Sequence, residues 1–259
     1  MTADKQTSPE QTIASVWTRP RRPQRQPSAL GREQIVAEAV ALLDEEGIAA
    51  LSMRKLGARL GSGATSIYWH VPSKDELVEL VVDEVYGEVR APDLGGADPA
   101  DPAVWRAAAT EYADGIRSMI MRHTWVAALL GESGLSYLGP NMMRLSDEML
   151  GLFRSAGFTL LEANDAISTV TAFVLGMASG EAAVRTTVAR SGRTEEEWLA
   201  ALMPAAELAA QPYPHLRELY AAYQDVEVRT GRQDGFGYGL GCILDGLQAL
   251  VPARGTRSG

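Results

Sequence analysis

Hydrophobic residues recur along this chain at the three- and four-residue spacing of helices. Behind Ser52 the apolar positions are Met53, Leu56 and Leu60. Glycine and serine at residues 61–63 interrupt that run, and a second short run begins at Ala64, with Ile67 and Val71 on its apolar side. The pattern predicts two short helices joined by a glycine turn, which is a helix-turn-helix.

The residues that follow predict where the second helix ends and the next begins. Pro72 ends it, because the residue before a proline is disfavoured in the α region. Ser73 and Glu76 have the spacing of a capping box, in which each side chain bonds to the other's backbone amide. We therefore expect a third helix over residues 74–90, followed by a linker at residues 91–102 that is rich in proline, glycine and aspartate.

Helical spacing continues through the rest of the chain and predicts five or six further helices. Their expected ranges are 104–121, 123–130, 141–156, 162–188, 195–210 and 233–250. Glycines recur in the last of these, and each costs about 1 kcal/mol against alanine inside a helix, so we expect a closely packed neighbouring helix there. Runs of valine and isoleucine bounded by hairpin turns are absent. The predicted fold class is all-α, with an N-terminal three-helix head and a C-terminal helical body.

The composition of the chain indicates the cellular compartment in which the protein is expected. The chain has 259 residues and one cysteine, Cys242, which excludes an internal disulfide and favours a reducing environment. The N-terminus lacks the apolar core of a signal peptide. The longest strongly apolar uncharged stretch, residues 166–180, has 15 residues, fewer than the roughly 20 that cross a bilayer. We expect a soluble, cytoplasmic protein without a membrane partner.

Charge is distributed unevenly along the chain. The formal net charge is -9, yet residues 52–74 contain no acid. The four cations of that stretch are Arg54, Lys55, Arg59 and Lys74. A basic island in an acidic chain indicates a surface for phosphate and favours nucleic acid as a partner.

The segments GREQIVAEAVALLDEEG, LSMRKLGARLG and IYWHVPSKDEL, within about residues 30–85, resemble the tetracycline-repressor (TetR) family of bacterial transcription regulators. The resemblance implies that Arg54, Ala64, Thr65 and Ser66 face the bases of a double-stranded operator. It also implies that Tyr68, Trp69, His70 and Lys74 contact the sugar-phosphate backbone. Ala64 stands where the tetracycline repressor has a base-reading amide, so that repressor's operator is not implied here.

Residues 1–28 are polar and rich in proline, and we expect them to be a disordered arm. Four arginines lie near its end: Arg19, Arg21, Arg22 and Arg25. One interpretation is a solvated tail, and the other is an arm whose arginines enter a narrow minor groove. The length of the leader resembles that of the longer-armed antibiotic-efflux repressors of the family, such as the simocyclinone efflux repressor. The expected domains are the arm (1–28), the helix-turn-helix domain (29–90), the linker (91–102) and a ligand-binding and dimerisation domain (103–259).

The segments GPNMMRLSDEMLGLFRSAGF and GFGYGLGCILDGL resemble, more loosely, the C-terminal domain of the tetracycline repressor. That resemblance implies a homodimer and a small-molecule effector that enters the body and separates the two recognition helices. Aromatic and methionine side chains suit a large apolar or aromatic effector. The candidate pocket residues are Tyr112, Met119, His123, Trp125, Tyr137, Met142, Met143, Phe153, Phe173 and Met177.

Motifs for catalysis or for a cofactor are missing from the sequence. The glycines of residues 235–241 fail the GxGxxG pattern in every register. His70, His123 and His215 show no metal-ligand spacing, and residues 128–131 lack the histidine that helps to hold magnesium–tetracycline in the tetracycline repressor. We expect no enzyme activity, no cofactor and no metal. A repressor is favoured, while an activator, a regulator without an effector and a helical interaction protein stay open.

Overall fold

The computed structural model describes residues 16–17, 30–133, 139–224 and 235–251, and every regular element within them is helical. The predicted all-α fold class is confirmed. The chain divides into two compact units. The head unit comprises Met1–Val85 and Leu135–Met143, and the body unit comprises Tyr86–Gly134 and Arg144–Gly259.

Four helices build the head: α1 (Arg32–Glu46), α2 (Met53–Arg59), α3 (Ala64–His70) and α4 (Lys74–Tyr86). A short 3-10 turn, Ile48–Ala50, precedes α2. Gly47, with φ of 77°, ends α1 in a backbone conformation that side chains disfavour. Ile35 and Leu42 of α1 and Leu56 of α2 are completely buried, so one apolar face of each of these two helices belongs to the head core.

The N-terminal residues of a later helix, α7 (Pro140–Ser155), also belong to the head unit. Asp83 of α4 is only 4% exposed, and its Oδ1 accepts the backbone N–H groups of Asn141 at 3.0 Å and Met142 at 3.1 Å. The Asn141 amide donates to Oδ2 of Asp83 at 3.2 Å. A Cβ at Gly139 would lie 2.1 Å from Oδ1, so only glycine fits beside this carboxylate. Asp83 thus caps α7 from a distant helix, where a local side chain usually does so.

The body contains α5 (Pro102–Arg122), α6 (Trp125–Ser133), the rest of α7, α8 (Leu160–Ser191), α9 (Glu195–Ala210), α10 (Pro214–Gln224) and α11 (Gly235–Leu250). Capping boxes begin α8 and α9 at Thr159 and Thr194. Three aromatic rings form part of the body core: Trp105 lies 5.7 Å from Phe153 and 5.8 Å from Phe158.

Several elements differ from the sequence prediction. Helix α4 ends at Tyr86, whereas we expected residue 90, because Gly87 follows and favours a helix end. Helix α10 was missed, because it lies between the predicted helices 195–210 and 233–250, where no helix was expected. Pro214 is its first residue, a position that suits proline since its N–H would be unpaired there in any case.

Helix α8 is longer and more apolar than expected. It has 32 residues, and within the described part of the chain it is the one helix long and apolar enough to cross a bilayer. Only 22% of its most apolar 18-residue window is buried. Since α8 packs against α5, α6, α9 and α11 of the same unit, we assign it to the helical body.

Candidate functional site

The geometry of α2 and α3 rests on a close backbone approach at Gly57. Gly57 lies in α2, and its backbone carbonyl accepts the Ser62 N–H at 2.9 Å. A Cβ at residue 57 would lie 2.9 Å from the Ser62 carbonyl oxygen and 3.1 Å from the Ala64 nitrogen. Ser52 caps α2 through the Lys55 N–H at 3.2 Å, and Ile67 anchors α3 in the core with no exposed surface. The turn between the two helices therefore has little freedom.

Anchoring by Ile67 leaves the opposite side of α3 open to solvent. Thr65 and Ser66 are exposed, and Tyr68 and Trp69 are 49% and 73% exposed. Ala64 and His70 are half-buried. Tyr68 and Trp69 are adjacent and together expose a large aromatic area, which indicates a surface that contacts another molecule.

Arg54 and Lys74 lie in the same unit as this surface, and both are exposed. The eight residues that the sequence analysis assigned to DNA therefore all lie in the head, on α2, α3 and the first residue of α4. Their contacts with DNA stay a prediction.

Two cations of the predicted basic island have acidic partners on α1. Lys55 forms an ion pair with Glu46. Arg59 pairs with Glu38, and its Nη1 lies 2.6 Å from Oε2 of Glu45. The hydrogen bond from Arg59 lowers the pKa of the Glu45 carboxyl below its ordinary value, and the two carboxylates raise the pKa of the guanidinium.

Arg54 and Lys74, by contrast, form no ion pair among the residues that the structure describes. Of the four cations, these two remain available for phosphates or bases. Sequence reasoning missed this division, because the neutralising acids lie on α1, outside residues 52–74. The signal was present as three consecutive acids, Asp44, Glu45 and Glu46, at the end of the segment GREQIVAEAVALLDEEG.

Part of the N-terminal extension contacts the head. The Val16 N–H donates to Oε2 of Glu79 on α4 at 3.1 Å. The Arg32 guanidinium lies 5.7 Å from the centre of the Trp17 ring, within the range of a cation–π interaction. These contacts were not expected from a segment predicted to be disordered. Arg19, Arg21, Arg22 and Arg25 lie outside the described residues.

The described members of the predicted pocket set do not line one common pocket. Phe153 packs against Trp105 and Phe158 in the core. Phe173 lies 5.5 Å from the ring of Phe236 on α11, and the Met177 methyl lies 3.8 Å from the Cβ position of Gly235. Both therefore belong to the packing of α8 on α11.

The remaining candidates lie at several other places. Met119 is fully buried on α5. The Tyr112 hydroxyl lies 3.1 Å from Oγ1 of Thr171, and burial raises the pKa of Tyr112. His123 is bonded to Glu88 at 3.1 Å, and its ring lies 5.9 Å from that of Trp125.

Three candidates are not in the described part of the body unit. Met142 and Met143 belong to the head unit, and Met143 is 44% exposed. Tyr137 lies outside the described residues. An effector role for any member of the set stays a prediction.

A cavity of about 390 Å³ lies between α5 and α11 of the body. One wall carries a polar row from α5 and the other carries glycines and apolar residues from α11. Its lining consists of Arg106, Ala107, Thr110, Asp114, Arg117, Phe236, Gly237, Leu240, Gly241 and Leu244. None of the predicted pocket residues lines it, although the regular spacing of polar residues on α5 could have indicated a wet groove. Over the described ranges, no three His, Cys, Asp or Glu side chains are grouped to hold a metal ion.

Comparison with known proteins defines the class. Residues 35–81 match the family model described as bacterial regulatory proteins of the tetR family, and residues 98–251 match the tetracyclin repressor-like C-terminal domain. The second match alone covers more than half of the chain. The protein belongs to the TetR family and is a transcriptional repressor, not an enzyme.

Individual relatives agree with this assignment. The chain is 35% identical over 247 residues to the HTH-type transcriptional repressor DrrR1 of Streptomyces coeruleorubidus, which covers 94% of this chain and 87% of that protein. It is 37% identical over 186 residues to an HTH-type transcriptional regulator of Saccharopolyspora erythraea, with 71% and 75% covered. Among solved structures, ActR of Streptomyces coelicolor in complex with actinorhodin has a TM-score of 0.69 and 28% identity, covering 88% of this chain and 100% of that one.

Proposed function

We propose that the protein represses transcription as a homodimer on a pseudo-palindromic operator and is released from DNA by a small molecule. The observation that carries this proposal is the open side of α3, where the exposed Thr65, Ser66, Tyr68 and Trp69 surround a fully buried Ile67. In a helix-turn-helix the second helix enters the major groove with such a side, and its first residues meet base edges. Two copies of the head fit the two half-sites of a palindrome.

The exposed faces of α8 and α11 support the homodimer. The Cβ positions of the exposed Gly176, Gly180 and Gly246 have no neighbouring atom within 4 Å, so nothing in the described chain requires glycine there. Each helical glycine costs about 1 kcal/mol relative to alanine. A second copy that lies close against these backbones accounts for the glycines and covers the apolar surface of α8.

The effector is proposed to be a large apolar or aromatic molecule that binds the body. ActR, a relative of similar fold, has been solved with actinorhodin, which supports a small-molecule ligand for this chain too. Such a ligand must favour the state that does not bind DNA, with a coupling of typically about 1–3 kcal/mol. We propose that the regulated gene concerns antibiotic efflux or a related function, and that the protein acts in the cytoplasm.

The arginine-rich arm is proposed to add minor-groove contacts. Val16 and Trp17 contact α4 and α1 of the head, so part of the extension lies against the unit that carries the DNA-binding surface. Arginine is favoured in narrow A·T-rich minor grooves because the negative potential there is strong.

A genomic selection tests the whole proposal. Sheared genomic DNA from the source organism is passed over the immobilised full-length protein at about 150 mM salt, and the retained fragments are sequenced. We expect one or a few enriched sites with two-fold symmetry, and sedimentation of the protein–DNA complex should show two protomers per site or a multiple of two. Retention of all fragments alike, or full binding by a single protomer, would contradict the proposal.

A further inference from the structure

The side chains at the start of α3 are short. Ala64 is half-buried and offers a methyl group, whereas Thr65 and Ser66 are exposed and offer a methyl with a hydroxyl and a hydroxyl, respectively. The helix as a whole, ATSIYWH, contains no Asn, Gln, Arg, Lys, Asp or Glu. It therefore lacks the long amide and guanidinium groups that form bidentate hydrogen bonds with adenine or guanine.

Within the described ranges, the Thr65 and Ser66 side chains form no hydrogen bond with the protein. Their hydroxyls can serve as donor or acceptor, so they bind several base edges without distinguishing them well. A methyl group, in contrast, gains contact with one feature of the major groove, the 5-methyl group of thymine. On this helix, thymine is the base that the available chemistry can select.

Helix α2 supplies a different reader. Of its three cations, Lys55 and Arg59 have carboxylate partners on α1, while Arg54 has none in the described structure. An arginine without a carboxylate partner can form two parallel hydrogen bonds with O6 and N7 of guanine. The close approach at Gly57 holds α2 and α3 together, so these two readers keep a constant separation along the groove.

From this we infer that one thymine in each half-site is selected by its 5-methyl group, which packs against the Thr65 methyl, beside the base that Arg54 contacts. The inference rests on the proposed operator binding and specifies its chemistry. Tyr68 and Trp69 lie one turn further along α3 and provide surface for the sugar-phosphate backbone. An operator of this protein thus owes part of its affinity to a methyl group and not to a hydrogen bond.

Deoxyuridine provides the test, since it pairs like thymidine and lacks only the 5-methyl group. An operator is first selected from a random duplex library with the full-length protein, and thymidines are then replaced by deoxyuridine one symmetric pair at a time. At the pair that contacts Thr65 we expect a loss of affinity of about fourfold per half-site, and about fifteenfold for the pair, which corresponds to one buried methyl group in each half-site.

Two variants separate the methyl group from the hydroxyl. Thr65→Ser removes the methyl and keeps the hydroxyl, so it should bind thymidine and deoxyuridine operators equally. Thr65→Val keeps a methyl and removes the hydroxyl, so it should retain the preference for thymidine. Because Thr65 is exposed, neither change should disturb folding, and circular dichroism of both variants checks this.

The outcomes are distinct. A thymidine preference in wild type that disappears in Thr65→Ser and survives in Thr65→Val supports the inference. Equal binding of all deoxyuridine operators by wild type, or an undiminished preference in Thr65→Ser, overturns it while leaving operator binding intact. If the selection enriches no sequence, the proposed function itself fails, and the inference fails with it.

Discussion

Asp83 should be among the most sensitive residues of the head, because its carboxylate satisfies several donors at once. It is buried and accepts the backbone N–H groups of Asn141 and Met142 and the Asn141 side-chain amide, at 3.0 to 3.2 Å. Hydrogen bonds to charged groups contribute about 1.5–3 kcal/mol each, and they are not additive. Asp83→Ala leaves these donors without the acceptor, so we expect the free energy of unfolding to fall by about 2–4 kcal/mol.

Two further variants test the geometry. Asp83→Asn keeps one acceptor oxygen but removes the charge and sets an NH₂ group against the Asn141 amide, so we expect a smaller loss, about 1–2 kcal/mol. Gly139→Ala leaves every polar group in place, yet its Cβ would lie 2.1 Å from Oδ1 of Asp83. It should therefore destabilise by about 1–3 kcal/mol through steric displacement alone.

Urea unfolding followed by circular dichroism measures these changes, at one fixed protein concentration because dimer dissociation contributes to stability. Asp147→Asn, an exposed carboxylate on the same helix α7, is the matched control and should change stability by less than about 0.5 kcal/mol. If Asp83→Ala unfolds at the same urea concentration as this control, the carboxylate does not cap α7 in solution and the reasoning is wrong.

Other changes should separate the remaining roles. Arg54→Ala should cost about 1–3 kcal/mol of operator affinity and relax the base preference at one position per half-site. Lys74→Ala should instead weaken binding to all DNA sequences alike and flatten the salt dependence of binding. Identical selection profiles for wild type and Arg54→Ala would exclude base reading by Arg54. Replacing the four arginines of residues 19–25 by glutamine should weaken operator binding most at low salt, and an unchanged affinity and salt slope would identify the arm as a passive leader. Gly180→Leu should yield monomers in sedimentation, while a persistent dimer with raised stability would place Gly180 outside the interface. Arg59 lowers the pKa of the Glu45 carboxyl, so the contribution of Glu45 to folding stability is present above the ordinary pKa of 4.5 and is lost as the pH falls through the lower pKa of the folded state. Glu45→Gln should therefore flatten the loss of stability in acid. An unchanged profile of stability against pH would count against the ion pair.

Local signals made much of the head predictable. Ser52 and the glycines of residues 61–63 placed the starts of α2 and α3 at Met53 and Ala64, as the structure shows, because caps and breaks act within a few residues. Helix α9 likewise begins after a threonine capping box and was predicted at its observed bounds, Glu195–Ala210.

Contacts between distant segments could not be predicted in this way. Asp83 lies 58 residues from Asn141, and Arg59 lies 21 residues from Glu38, so neither pair has a spacing that a sequence reveals. The consequence for the site was large, since the pairing of Arg59 and Lys55 with α1 removes half of the cations that the sequence assigned to the basic island. The cavity between α5 and α11 was missed for a related reason: the polar spacing on α5 indicates one wall, but nothing in the sequence reveals that the distant α11 forms the other.

The close backbone approach at Gly57 bears on how such a regulator diverges. The frame that holds α3 on α2 consists of backbone atoms around Gly57, the buried Ile67 and the Ser52 cap, and it includes neither Arg54 nor Thr65. Mutations at Arg54 or Thr65 can therefore accumulate without loss of folding, whereas a side chain at residue 57 would disturb the whole head. After gene duplication, the outward positions are free to acquire a new operator while the frame is inherited unchanged, and two copies in one cell can come to control separate genes without cross-talk.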